Sequence, residues 1–324
     1  RDAFCPPPST DVAGIHGRRV YEVWPLLDGK HRFFCGGRCI TGPREDFGFN
    51  CCAWLCILCP TIFYFAVVAS EIGKSVHPIL PLLTGLLFFL VVILLLLTSC
   101  TDPGILPRQP LQRLLNIEEA VQHATGYERP DVNSEIPGEP VLDFDAGPPP
   151  LSEEQRIQGY KWCQTCRIIR PPRTTHCSDC NCCIMRYDHH CPFVNNCVGQ
   201  RNYHFFSGFL ASVACLGIVV VCEIGWWVAD RSDGESRHGN NQVVFVVALI
   251  VGIPAAFLGL AVLCFLLYHM SLILRGRTTK EALTGKVTAE GPTLLGPRGP
   301  MITPWRARIP SDGLSMATLS VQGP

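Results

Sequence analysis

Long apolar stretches alternate with polar segments along the chain. Residues 47–70, 78–100 and 239–274 contain no Asp, Glu, Lys or Arg, and residues 203–229 contain only Glu223. A helix needs about 20 apolar residues to cross the hydrocarbon layer of a bilayer, and each stretch is long enough. The run LLTGLLFFLVVILLLL in the second stretch has no polar face at a helical period, which disfavours a buried core helix. We therefore predict an α-helical polytopic membrane protein with four transmembrane helices.

These helices divide the chain into predicted segments. In chain order they are an N-terminal arm (1–46), the first span (47–70), the second span (77–100), a segment (101–158) with an acidic, Pro-rich linker over residues 129–154, a Cys-rich module (159–206), the third span (203–229), a loop (230–242), the fourth span (243–274) and a TTKE segment with a disordered tail (275–324). The linker is rich in Pro, Gly and acidic residues and is predicted to be disordered. Leu111, Leu114, Leu115 and Val121 recur at helical spacing and predict a short amphipathic helix on the membrane surface. Because the chain begins with Arg1 rather than Met, we expect its natural N-terminus upstream.

The distribution of Lys and Arg predicts the orientation in the membrane. Residues 1–46 carry seven, residues 101–202 carry ten and residues 271–324 carry seven, whereas the connections 71–77 and 230–241 carry one and two. Lys and Arg are enriched in cytosolic segments, so both termini and the Cys-rich module are expected in the cytosol, with the 230–242 loop lumenal. The formal net charge of zero and the membrane spans disfavour nucleic-acid binding.

The Cys-rich module carries the candidate chemistry. Eight of the nineteen cysteines, with three histidines, lie between residues 163 and 197. Disulfides are rare in the reducing cytosol, so metal binding or catalysis is the better interpretation. CQTC and CSDC have the two-residue gap that lets both thiolates reach one tetrahedral zinc ion. The eleven groups suit two four-ligand sites with three spare, and neighbours such as His176 and Cys177 point apart, which favours interleaved sites. We interpret most other cysteines as small apolar residues.

The stretch CQTCRIIRPPRTTHCSDCNCCIMRYDHHCPFVNNCVGQRNYHFF resembles the Cys-rich domain of the DHHC protein S-acyltransferases without a gap. The resemblance implies two structural zinc ions, one held by Cys163, Cys166, His176 and Cys183 and the other by Cys177, Cys180, His190 and Cys197. Cys182 matches no ligand and is expected to be a bystander. Asp188, His189 and Cys191 remain, and the resemblance makes them the catalytic residues.

Transfer of an acyl group between thiols explains why these three residue types belong together. The reaction needs a thiolate nucleophile and a base, because an unperturbed Cys with a pKa of about 8.5 is mostly protonated at neutral pH. His189 lies two residues before Cys191, on the same side of an extended segment. Asp188 would orient His189, as the third member of a triad does, and this requires a local bend. The alternative is that all three are further metal ligands or fold residues.

Two further motifs and two departures bear on the resemblance. The matching motifs are DPG (Asp102, Pro103 and Gly104) and TTKE (Thr278, Thr279 and Glu281). The arm segment YEVWPLLDGKHRFFCGGR resembles the Ras-type, Erf-like subfamily, which implies a small accessory subunit. Relatives usually have Trp at the position of Phe193. After TTKE, this chain lacks the aromatic docking segment and the terminal Cys pair of the subfamily.

The resemblance implies a protein S-acyltransferase that moves a long-chain acyl group from palmitoyl-CoA, through Cys191, to a cysteine of a cytosolic-face protein. Arg167, Arg170, Arg173 and Arg201 are candidates to meet the CoA phosphates, or equally lipid headgroups. The Golgi or endoplasmic reticulum is the expected compartment, with the plasma membrane as an alternative. A zinc-stabilised adaptor without transferase activity is the second hypothesis. A redox or transport protein is disfavoured, because Glu223 is the single Asp, Glu, Lys or Arg in the predicted spans.

Overall fold

The computed structural model describes residues 17–127, 148, 151–232, 242–285 and 304–309. Most of the predicted linker, the 230–242 loop and the tail lie outside these residues. Within the described part, four helices are long and apolar enough to cross a membrane, namely Arg44–Ser75, Ile79–Cys100, Tyr203–Asp230 and Gln242–Leu274. The third continues to Ser232. The predicted fold of four transmembrane helices with a Cys-rich domain is confirmed.

The first helix is longer than predicted. It combines Phe47–Phe63, a wider π-helical turn at Tyr64–Val68, and Ala69–Ser75. The helix continues beyond the predicted span, which ends at residue 70, and Lys74 and Glu71 lie on one face of its last turns and pair at 3.5 Å. Such a pair one turn apart stabilises the helix where it leaves the apolar region.

Three of the four long helices meet at a buried acidic residue. Glu223 is 3 % exposed and accepts hydrogen bonds from the Thr84 hydroxyl at 2.9 Å and from the Tyr64 hydroxyl. These partners lie on the second and first helices, so Glu223 joins three helices rather than lying unpaired near a helix end. A buried polar group is costly unless it is hydrogen-bonded, and here both carboxylate oxygens have partners.

Short helices and strands form the part of the described structure that lies outside the four long helices. The helices are Val20–Val23, Trp24–Leu27, Arg44–Asp46, Gln109–Leu115, Glu118–Thr125, Glu153–Gln158, Thr279–Thr284 and Pro304–Arg306. The antiparallel strand pairs are Arg32–Phe34 with Cys39–Thr41, Lys161–Cys163 with Ile168–Arg170, and His189–Cys191 with Asn196–Val198. A three-stranded sheet has Cys182–Ile184 between Thr175–Cys177 and Ile105–Leu106. The strand after the second transmembrane helix therefore belongs to the zinc module.

Two predictions for the segments outside the four long helices are wrong. Leu111 and Val121 lie in a core with Trp24 and Cys180, so the predicted amphipathic helix is two helices that pack on the arm and the module rather than on the membrane. The disordered linker predicted over residues 129–154 ends slightly earlier, because Ser152 accepts a hydrogen bond from the backbone N–H of Gln155 and caps the helix Glu153–Gln158.

Candidate active site on a two-zinc module

The first Cys/His group sits between two hairpins. Cys163, Cys166, His176 and Cys183 place their ligand atoms within 4.8 Å of one another. His176 Nδ1 lies 3.6, 3.4 and 3.8 Å from the sulfurs of Cys163, Cys166 and Cys183. Tetrahedral zinc with ordinary Zn–S and Zn–N bonds separates sulfur and nitrogen by about 3.6 Å. The donor set and its spacing therefore fit a zinc ion, and all four positions are protein ligands.

The second group is built in the same way. It contains Cys177, Cys180, His190 and Cys197. His190 Nδ1 lies 3.4 Å from the sulfur of Cys180 and 3.5 Å from that of Cys197. In the CSDC turn the N–H of Cys180 points at the Cys177 sulfur, 3.5 Å away, and Asn181 with φ 52° closes the turn. This geometry also fits tetrahedral zinc, so the structure brings together both sets that the resemblance implied.

Asp46 is a partner of the second group that sequence reasoning missed. Its carboxylate lies 2.7 Å from His190 Nε2, and both side chains are largely buried. A carboxylate on the far nitrogen fixes the tautomer in which Nδ1 faces the metal, and it strengthens the imidazole as a ligand. Asp46 immediately precedes the helix that begins at Phe47, so this bond also ties the first transmembrane helix to the module.

Cys182 belongs to neither group. It is fully buried, and its sulfur lies 3.7 Å from Nδ1 of His31 in the arm. It thus packs the arm against the module, and its expected role as a bystander of the metal groups stays a prediction.

The strand His189–Cys191 holds Cys191, the predicted nucleophile. It pairs with Asn196–Val198, so that Cys191 lies opposite Asn196. His189 Nδ1 donates to Asp188 Oδ1 at 2.6 Å, since an ionised carboxylate can only accept. The local bend that this bond requires is present, because Asp188 lies just before the strand. His189 lies close enough to Cys191 for its imidazole to lower the pKa of the Cys191 thiol, so the structure brings the three predicted catalytic residues together.

The electrostatics of these three residues favour a charged thiol–imidazole pair. Burial opposes the charge on Asp188, but hydrogen bonds from His189 and Thr279 hold the pKa of this carboxyl below its usual value. Burial would lower the pKa of His189, yet Asp188 and Cys191 together raise it to about 9. Burial also disfavours a thiolate at Cys191, but the interaction with His189 lowers the pKa of this thiol. A thiolate beside an imidazolium is a prepared nucleophile.

The TTKE motif, which follows the fourth transmembrane helix, holds Asp188 in place. The backbone N–H of Thr279 donates to the second oxygen of Asp188 at 2.8 Å. Thr278 caps the helix Thr279–Thr284, and Glu281 pairs with Arg173 through two bonds of 2.7 and 2.9 Å. Asp188 is thereby held by two elements at once. Arg173 is committed to this internal pair, so the expectation that it contacts CoA phosphates or headgroups is wrong.

The DPG motif holds the end of the second transmembrane helix against the module. Asp102 Oδ1 accepts from the N–H groups of Gly104 and Ile105 at 2.8 and 2.9 Å, and Oδ2 accepts from Arg201 at 2.7 Å. Gly104 has φ 110°, a conformation that favours glycine. Arg201 is 3 % exposed, so the expectation that it meets CoA or lipid is also wrong.

An apolar cavity of about 230 Å³ runs between the transmembrane helices. Phe193 and Val194, just after the nucleophile, line one part, and Tyr64 and Thr84 of the buried cluster line another. Phe193 retains an aromatic contact where relatives usually have Trp, since its ring lies 6.0 Å from that of Phe49. A cavity of this kind suits a long hydrocarbon chain attached near Cys191.

Fold and site together define a class of protein, a polytopic membrane protein that presents a histidine-paired cysteine on a two-zinc module beside an apolar cavity. The family model described as DHHC palmitoyltransferase matches residues 156–286. Palmitoyltransferase ZDHHC18-B of Danio rerio is 32 % identical over 337 residues, covering 94 % of this chain and 80 % of the relative. Palmitoyltransferase ZDHHC18 of Mus musculus is 33 % identical, covering 83 % and 67 %. Palmitoyltransferase ZDHHC14 of Mus musculus is 34 % identical, covering 84 % and 52 %. The chain belongs to the DHHC palmitoyltransferase family.

Proposed function

We propose that this protein is a protein S-acyltransferase in which Cys191 carries the acyl group. The observation that carries the proposal is the line from Thr279 through Asp188 and His189 to Cys191, at the boundary between the module and the apolar cavity. The line supplies a thiolate, a proton carrier and an orienting carboxylate. The similar proteins are named palmitoyltransferases, which agrees with this chemistry.

The reaction has two thioester exchanges. In the first, the Cys191 thiolate attacks the carbonyl carbon of an acyl-CoA, the bond from that carbon to the CoA sulfur breaks, and His189 gives its proton to the departing CoA thiol. In the second, His189 accepts the proton of an acceptor cysteine, whose thiolate attacks the acyl–Cys191 thioester and releases Cys191. Each of the two zinc ions would have four protein ligands and no open position, so its role would be to hold the loop-rich module in shape.

The cavity supports a long-chain donor such as palmitoyl-CoA. Moving each methylene from water into an apolar environment contributes about 0.8 kcal/mol, so the transfer free energy favours placing a long acyl chain between the helices. Arg167 and Arg170 remain candidates for the CoA phosphates.

The expected orientation has both termini and the module in the cytosol. Residues of the arm and of the C-terminal region pack together, because the N–H of Gly17 donates to the Ile309 carbonyl at 2.9 Å, so both lie on one side of the helices. The Lys and Arg counts make that side cytosolic. The acceptors are then proteins with a free cysteine at this membrane face. The assignment to the Golgi or endoplasmic reticulum and the expectation of a small accessory subunit rest on the family resemblance of the sequence.

Turnover separates the transferase from an adaptor of the same fold. The purified protein is reconstituted in nanodiscs with palmitoyl-CoA and a membrane-anchored peptide that contains one cysteine, and peptide acylation and CoA release are followed together. We expect several turnovers per enzyme, none with Cys191→Ser, and an unchanged rate with the control Cys35→Ser, whose thiol is exposed in the arm hairpin. Zinc-loaded, folded wild-type protein that transfers nothing would favour the adaptor.

A further inference from the structure

The C-terminal segment Pro304–Ile309, here called the clasp, packs on the N-terminal arm. Its backbone pairs with the arm, since the N–H of Val20 donates to Ala307 at 3.0 Å and the N–H of Ile309 donates to Arg18 at 2.9 Å. Ile309 is 1 % exposed. The expectation that the whole tail is disordered is wrong for these residues, because they complete the core of the arm.

Trp305 is the central side chain of the clasp. It is 2 % exposed, and its ring centroid lies 5.0 Å from that of Trp24 in an edge-to-face contact and 5.4 Å from that of Phe33. Its indole N–H donates to Asp102 Oδ2 at 2.8 Å. Hydrogen bonds to an ionised acceptor in a buried site are among the stronger ones. The clasp therefore reaches through the arm to the DPG motif.

Asp102 links Trp305 to two further elements through hydrogen bonds. One oxygen holds the turn at Gly104 and Ile105, and from there the strand Ile105–Leu106 pairs with the zinc-ligand strand Cys182–Ile184. The oxygen that accepts from Trp305 also accepts from Arg201, at the start of the third helix. Without the indole N–H, this oxygen loses one of its two partners inside a buried network.

The segment around Asp102 also contacts the strand pair that contains Cys191. The N–H of Arg201 donates to the Pro103 carbonyl at 3.3 Å. A few residues earlier, the Asn196 amide donates to the Thr101 carbonyl at 3.0 Å, and Asn196 lies opposite Cys191 in the strand pair. The position of Cys191 relative to the second transmembrane helix thus depends on backbone groups on either side of Asp102.

We infer that the clasp is a positioning element for the transfer reaction, and that the hydrogen bond from Trp305 to Asp102 sets the DPG turn and, through it, the strand of Cys191. The inference rests on the proposed function. Trp305 touches neither the reacting atoms nor the zinc groups, so it acts through Asp102.

The test compares Trp305→Phe with wild type in full-length protein in nanodiscs. Phe keeps a ring in the contact with Trp24 but cannot donate to Asp102. We expect the kcat for acylation of Cys191 by palmitoyl-CoA to fall about tenfold, the effect of losing one charge-assisted hydrogen bond, with KM within about twofold. Hydrogen exchange of a peptide covering residues 101–106 is expected to accelerate. The matched control is Trp226→Phe, because Trp226 is 66 % exposed on the third helix.

A double-mutant comparison separates this bond from general loss of packing. In Asp102→Asn an oxygen remains for Gly104 and Ile105, while the amide group can no longer accept from Trp305. Trp305→Phe is expected to add no further loss in this background. If Trp305→Phe matches Trp226→Phe in both kcat and exchange, or if its effect is undiminished in Asp102→Asn, the inference is wrong. An unlabelled wild type would instead contradict the proposed function, and hydrogen exchange would still report on the clasp.

Discussion

At the scale of single residues, Asp188 links the chemistry to the rest of the chain. One of its oxygens accepts from His189 and the other from the backbone of Thr279, so neither is free to rotate towards solvent. The resemblance indicated Asp188, His189 and Cys191, and the two-residue spacing indicated the His–Cys contact. The partner on Thr279 could not be predicted, because it lies 91 residues away and is a backbone group without a side-chain signature.

Asp188→Asn tests this orienting role. An amide can present its NH₂ to His189 and thereby favour the wrong tautomer, so we expect acylation of Cys191 to slow by about 10²-fold or more while zinc content is unchanged. The measurement is the single-turnover rate with labelled acyl-CoA. Asp230→Asn, an exposed aspartate at the far end of the third helix, is the matched control. Equal rates in Asp188→Asn and wild type would exclude the triad-like role.

At the scale of elements, short segments far apart in the chain hold the module in place. The hydropathy pattern predicted the four transmembrane helices, because length and apolar composition are local properties. The ion pair of Arg173 with Glu281 and the bond of Asp46 with His190 span 108 and 144 residues and had no periodic signal. The TTKE and DPG motifs marked the segments involved, but not their partners.

Glu281→Ala tests the element formed by TTKE. It leaves Arg173, whose side chain is 6 % exposed, without its carboxylate, and removing one partner of a buried pair costs about 3–5 kcal/mol. We expect a lower midpoint of thermal unfolding and slower acylation, because Thr279 loses its fixed position against Asp188. The control Lys280→Ala changes the exposed residue beside it in the same motif. A midpoint equal to that of Lys280→Ala would show that the pair does not stabilise the module.

Asp46→Ala tests the link from the first transmembrane helix to the second zinc group. Loss of an outer partner of a histidine ligand typically weakens metal binding by about 10–100-fold, so zinc should leave one of the two sites faster. Release to a chromogenic chelator would show one accelerated phase and one unchanged phase. Glu45→Ala, the adjacent exposed carboxylate, should release zinc as wild type does. Two unchanged phases in Asp46→Ala would contradict this role.

At the scale of the whole molecule, the membrane helices and the module share one site. The sequence predicted where each would lie, but not the cavity between them, since a cavity depends on how side chains from separate helices pack. Nor did the pattern indicate that Tyr64, Thr84 and Glu223 form a polar cluster beside it. Glu223 stood out as the single Asp, Glu, Lys or Arg in the predicted spans, but its partners could not be predicted because they lie on other helices.

Tyr64→Ala tests whether this cluster limits the chain that the cavity accepts. Removing the ring extends the apolar space, and each additional buried methylene is worth about 0.8 kcal/mol, so an acyl chain two carbons longer than palmitoyl should gain about tenfold relative to palmitoyl. Competition between the two acyl-CoAs measures the ratio. Phe65→Ala, the neighbouring ring, which is 41 % exposed, is the control. An unchanged preference in Tyr64→Ala would place the limit elsewhere.

The most direct test of the central claim is to locate the acyl group. Wild-type protein is incubated briefly with alkyne-tagged palmitoyl-CoA without an acceptor, digested, and mapped by mass spectrometry with and without hydroxylamine. The account predicts a hydroxylamine-sensitive adduct on Cys191 that is absent from Cys191→Ser, with both zinc ions retained in the mutant. A folded, zinc-loaded wild type whose label lies on another cysteine, or that takes up no label, would contradict the assignment of Cys191 as the residue that carries the acyl group.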